Sequence, residues 1–196
     1  MKKNVYAISL VILSAICLMP LSALAHTGVG GTTGFGSGFG HPIGGADHLL
    51  AMLAVGLWAA QMAGRAIWAI PSAFVIVMIL GGILGISGIP APYVEEGILL
   101  SVLVLGILIA TAFKFPLAIS ALIVGIFAVF HGHAHGTEMP LAIGGLSYSI
   151  GFSIATVLLH AFGIAIGVAL QKLNIEKVVR FAGGAIAISG IYLALA

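Results

Sequence analysis

The chain has 196 residues, 61% of them hydrophobic and only 6% charged, with a formal net charge of +2. A soluble domain carries roughly 25% charged residues, so this composition excludes one and indicates an all-α integral membrane protein. Nothing in it resembles a nucleic-acid-binding surface.

Residues 1–25 read as a cleaved signal peptide. Lys2 and Lys3 form a basic start, Val5 to Met19 an apolar middle, and Ala23-Leu24-Ala25 a small-residue cleavage site. Cys17 is the chain's one cysteine and lies in this segment. Cleavage would leave a mature chain without disulfides or thiolate ligands. It would also remove two of seven basic residues, leaving five against five acidic ones, so the basic balance says little about partners. Residues 26–42, with GVGGTTGFGSGFG at 28–40, form a glycine-rich extracytoplasmic lead.

Residues 43–196 then read as a bundle of six transmembrane helices, since runs near 20 apolar residues recur and about 20 residues cross a ~30 Å hydrocarbon core. The expected spans are 43–62, 67–87, 94–113, 115–132, 143–170 and 176–195. Pro42 suits a first helical position, where its missing N–H costs nothing. Gly88-Ile89-Pro90-Ala91-Pro92 separates the second span from the third, and Gly136 with Pro140 the fourth from the fifth. GxxxG pairs at Gly81/Gly85 and Gly163/Gly167 fit close helix packing. A signal peptide puts both mature termini outside the bacterial inner membrane. Arg65, Lys114, Lys172, Lys177 and Arg180 then all fall on inside connections, in agreement with the positive-inside rule.

The remaining ionisable residues collect on the other side. His26, His41, Asp47 (the sole aspartate), His48, Glu95, Glu96, His131, His133, His135 and Glu138 lie at or near outer helix ends, and His160 near mid-membrane. In a continuous first helix, positions 41 and 48 share a face with Met52 one turn below. Asp47 would lie ~9 Å deeper than His41, making a ladder of ligands. In HGHAHGTE (131–138), His131, His135 and Glu138 share a stripe if the helix persists, and His133 points elsewhere. Three histidines and a carboxylate beside hydrocarbon have no common packing explanation, and intramembrane ionisable residues are functional candidates because burying them is expensive. Imidazole and carboxylate without thiolate suit Ni²⁺, Co²⁺ or Zn²⁺ rather than Cu(I). Bland readings stand beside this one: His160 as a packing residue, His41 as a helix cap, Glu95 or Glu96 as partner to a helix dipole. Signal cleavage would make His26 the N-terminus, where amine and imidazole can chelate together.

These residues carry a family resemblance. His41-Pro42, Gly45, Asp47-His48, Met52 and Val55-Gly56 look like the first-helix signature of the HupE/UreJ family, and HGHAHGTE looks like its second histidine-rich motif. The resemblance runs over nearly the whole chain. It implies a nickel permease, with cobalt in some lineages, often encoded near hydrogenase or urease genes. It also implies roles for His41, Asp47, Phe74, Glu95, His135 and Glu138; spacing alone would not select Phe74, nor Glu95 over Glu96. Other nickel/cobalt transporters carry an H-x4-D-H helix motif, but five residues separate His41 from Asp47 here, so that match is approximate.

The expected function is therefore a secondary or channel-like permease, not an enzyme, with metal candidates His41, Asp47, His48, Glu95, His131, His135 and Glu138. His26, His133, His160 and Met52 are weaker candidates, and Phe74 would line the path. No glycine precedes a lysine, so a Walker-type phosphate loop is absent. The expected partners are the transported Ni²⁺ or Co²⁺, membrane lipid and cytoplasmic metal-acceptor proteins, with a homo-oligomer compatible and no prosthetic cofactor. Rival readings are a metal-delivery accessory protein for hydrogenase or urease maturation, a cytochrome with His48 and His160 as axial haem ligands, and an intramembrane metallohydrolase. The last lacks HExxH.

Overall fold

The computed structural model describes residues 34–139 and 144–196. The expected signal peptide, Cys17 and His26 lie outside the described residues. Those residues form seven helices and no strands: α1 Phe35–Gly44, α2 Ala46–Met62, α3 Ala66–Ile86, α4 Val94–Thr111, α5 Leu117–Glu138, α6 Gly145–Lys172 and α7 Glu176–Leu195. Helices α3 to α7 are each long and apolar enough to cross a membrane. The pair α1–α2 passes the same test only as a unit bent by 82°, so the described residues hold five spans, or six if that pair counts as one. Ile76, Leu122, Phe162 and Ile188 stay more than half exposed, as expected of side chains that face lipid rather than water.

Three expectations are corrected here. The first helix does not start at residue 43 with Pro42 leading it, and the glycine-rich lead is not wholly a lead. Residues 35–44 form a helix of their own with Pro42 buried inside it, and α2 starts afresh at Ala46. Glycine-rich sequence forms helix poorly on propensity alone; here packing overrides it. A Cβ at Gly38 would strike the Tyr148 backbone on α6, and one at Gly151 would strike the Phe35 carbonyl. The break falls at Gly45, in extended conformation (φ −94°, ψ 123°). The fourth span also runs further than expected: α5 stays helical through HGHAHGTE to Glu138.

The helices associate through small residues, as membrane helices do without a hydrophobic drive between them. On α3 against α5, a Cβ on Gly81 would lie 2.6 Å from the Val129 carbonyl, and Gly132 and Gly136 meet the Met78 and Gly82 carbonyls. Gly56 and Gly163 do the same for α2 against α6, and Gly106 and Gly183 for α4 against α7. The ends of the bundle differ in chemistry. Connections near residues 63–65, 112–116 and 173–175 gather the basic residues at one end. There Trp58 Nε1 donates to the Phe113 carbonyl (3.0 Å), Gln61 to Ile109 (3.1 Å), Gln171 to Ala60 (2.9 Å) and Arg180 to Ala110 (2.8 Å). These bonds engage carbonyls at the C-terminal ends of α2 and α4, where intrahelical partners run out, and tie neighbouring helices together at that end. The other end carries the histidines.

Candidate metal site

The bend at Gly45 builds the site. It swings His41, near the end of α1, over α5, where it meets the stripe that α5 presents at 3.6 residues per turn. One donor atom each from His41, His135 and Glu138 lie within 4.8 Å of one another, and His41 Nε2 is 3.6 Å from Glu138 Oε2. Below this group the rings form a file. Centroids of His41 and His135 are 4.6 Å apart, His135 and His48 4.6 Å, and His48 and His131 4.9 Å. The file continues through Phe74, 5.5 Å from His131, to His160, 5.1 Å from Phe74. His41 is partly exposed at the mouth; His48, His131, His135, His160 and Phe74 are buried.

Hydrogen bonds set which nitrogens can take a metal. Asp47, in the first turn of α2, accepts from its neighbour's backbone N–H (2.7 Å) and from His48 Nδ1 (2.8 Å). Glycine at 45 leaves room for this: a Cβ there would sit 2.9 Å from Asp47 Oδ1. With Nδ1 donating, His48 Nε2 keeps its lone pair, and that atom is buried without a protein partner. A carboxylate behind a ligating imidazole is the usual way to fix its tautomer and raise its basicity. Ser101 does the same for His131 from α4. Its hydroxyl donates to the Ile98 carbonyl (2.6 Å), so toward His131 Nε2 (3.0 Å) it accepts. His131 Nδ1 is then the lone-pair nitrogen, also buried and unpartnered. Both nitrogens of His135 and of His160 are buried without partners too. Each such group costs about 1–3 kcal/mol, a strain reservoir that a bound cation would relieve.

The predicted residues do not all join this file. His133 turns away, as the stripe argument expected, and its Nε2 donates to the Ile89 carbonyl in the α3–α4 connection at 2.7 Å. Met52 is fully buried in the apolar core. Glu95 and Glu96 are exposed in the first turn of α4, outside the group formed by His41, His135 and Glu138. His48 and His160, considered as axial haem ligands, are linked through His131 and Phe74 rather than flanking an open slot. Ser101, Tyr148 and Phe152 escaped the sequence reading. Phe152 packs on His135 with centroids 3.9 Å apart, and Tyr148 lies 6.1 Å from His41. The one available signal was a serine and an i, i+4 aromatic pair inside apolar helices, both common in ordinary packing.

Comparison with known proteins places the chain in a family. Residues 14–193 match the family described as HupE / UreJ protein. The chain is 45% identical over 183 residues to "Protein HupE" of Rhizobium leguminosarum bv. viciae, covering 93% of this chain and 96% of that protein. No solved structure matches it significantly.

Proposed function

The chain belongs to the HupE/UreJ family, and on that premise we propose that it is a permease importing Ni²⁺, with Co²⁺ as the alternative cargo, for supply to metalloenzymes such as hydrogenase or urease. One observation carries the reading. His41, His135 and Glu138, from segments about ninety residues apart, bring donor atoms within 4.8 Å of one another. Two nitrogen or oxygen ligands on one first-row ion sit up to ~4 Å apart at bond lengths of ~2.0–2.2 Å. A shift below 1 Å therefore closes this group around a cation. The donor set is imidazole and carboxylate, which suits a borderline divalent ion.

In this reading His41, His135 and Glu138 form the outer station, where Glu138 offsets part of the ion's charge. His48 Nε2 and His131 Nδ1, backed by Asp47 and Ser101, form a second station deeper in the bundle. His135 borders both. The exposed Glu95 would act earlier, concentrating cations at the mouth. Basic residues at the opposite end support an inward path from the histidine end by the positive-inside rule. At ~2.3 kcal/mol per charge per 100 mV, a divalent cation gains ~4.6 kcal/mol on entry. That is more than a thousandfold accumulation, so facilitated diffusion suffices.

The test is metal-competition uptake into liposomes containing only this protein. Saturable Ni²⁺ entry, competed by Co²⁺ and lost in Asp47→Asn, is the expected result. Tight Ni²⁺ binding with no vesicular accumulation would replace the permease by a metal-delivery protein.

A further inference from the structure

Helix α7 packs on α4 through Gly183, where a Cβ would press on the Ala110 backbone. The next residue, Gly184, has no such duty: a Cβ there would meet nothing within 4 Å. A glycine inside a helix weakens it relative to alanine, and packing within the chain does not explain this one. Its missing side chain leaves a furrow of about 550 Å³ between α7 and the end of α4, lined also by Phe181 and Ile188. Those two side chains are 54% and 67% exposed, so the furrow opens sideways toward lipid.

The furrow has a direction. Lys177, Phe181, Gly184 and Ile188 all line it, and their numbers fall on one stripe of a helix. From Lys177 to Ile188 the stripe runs ~16 Å at ~1.5 Å per residue. That is close to half of a ~30 Å hydrocarbon core, the depth of one leaflet. Its start, at the basic end of the bundle, is cationic. Lys177 and Arg180 are both exposed and line the furrow there, whereas the neighbouring Glu176 does not. Arg180 Nε donates to the Ala110 carbonyl at 2.8 Å, which pins the guanidinium between α7 and α4. Its terminal nitrogens take no partner among the described residues.

We propose that this furrow binds an anionic phospholipid of the leaflet at the basic end, its phosphate on Lys177 and Arg180 and one acyl chain lying over Gly184 toward Ile188. A planar guanidinium pairs with phosphate oxygens through two N–H bonds, and a lysine adds a point charge. Basic pockets between transmembrane helices at the cytoplasmic face are where acidic headgroups bind. The length of the stripe and its one charged end match a lipid standing in its own leaflet. Bound there, the lipid bridges α4 and α7 and reinforces their contact. The site uses no metal and stands apart from the histidine file.

The test is native mass spectrometry of the full-length protein in mild detergent, titrated with equal amounts of dioleoyl phosphatidylglycerol and dioleoyl phosphatidylcholine. The parent should bind one phosphatidylglycerol with at least fivefold preference; equal binding of the two lipids overturns the proposal. Lys177→Gln/Arg180→Gln should bring the preference within twofold of unity, while Lys172→Gln, exposed on α6 outside the furrow, should keep it. Equal losses in the two would reduce the effect to general surface charge and overturn the site. Gly184→Leu places its Cβ in open space and leaves both cations, so it should weaken phosphatidylglycerol binding at least fivefold. Undiminished binding overturns the seat for the acyl chain. A lipid-free dimer of the parent that Gly184→Leu dissociates would make a second copy the occupant and overturn the lipid.

Discussion

His48 Nδ1 donates to the Asp47 carboxylate at 2.8 Å, and this one bond leaves the opposite ring nitrogen, Nε2, with its lone pair free, buried in the bundle without a protein partner. The chain's sole aspartate thus acts through its neighbour as well as by its charge. Asp47→Asn should lower Ni²⁺ affinity ten- to a hundredfold, the usual effect of losing such support. Isothermal titration of the purified protein measures it. Affinity within twofold of the parent would show that His48 needs no orienting carboxylate.

Ser101→Ala removes the acceptor of the His131 Nε2 proton and makes little change in volume. The lost hydrogen bond costs about 1 kcal/mol. The free ring can also take the other tautomer, which points a proton at the ion. The thermal shift that Ni²⁺ confers should shrink relative to the parent, while the metal-free melting point moves by only a few degrees. An unaltered Ni²⁺-induced shift would mean that His131 is not a ligand.

The histidines of HGHAHGTE should separate in function. His133 serves the α3–α4 connection through Ile89, and glutamine can still donate there, so His133→Gln should keep uptake within about twofold. His135→Gln should reduce it by an order of magnitude or more, because that ring lies between His41 and His48. Equal effects of the two variants would contradict the division.

Uptake should fall as external pH drops. Imidazole ligates only when neutral, and free histidine titrates near ~6.5, so below that value protons compete with the metal at the mouth. In vesicles with a clamped membrane potential, the apparent KM for Ni²⁺ should rise from pH 7.5 to pH 5. A constant KM would speak against histidine ligation at the entrance.

Helix packing gives a prediction independent of metal. Gly132→Ala places a Cβ against the Met78 carbonyl, whereas a Cβ at Gly40 meets nothing within 4 Å. Backbone must move in the first case, costing about 1–3 kcal/mol or more. The melting temperature in detergent should drop clearly for Gly132→Ala and hold for Gly40→Ala.

Amino-acid order alone was enough for the membrane class, the boundaries of most spans and the segregation of basic from histidine-bearing ends. It was also enough for the His131–His135–Glu138 stripe. All of these depend on composition or on a period of a few residues, which a single helix imposes on itself. Folding of residues 35–44 as a separate helix, bent from α2 at Gly45 to set His41 over His135 and Glu138, had no local signature. It follows from Gly38 and Gly151 admitting the α6 and α1 backbones to close contact. The same holds for Ser101 behind His131, for Phe74 in line with His160, and for Glu95 lying apart from the imidazoles. Which donors converge is decided by how closely whole helices approach, and that distance belongs to pairs of surfaces rather than to either strand of sequence.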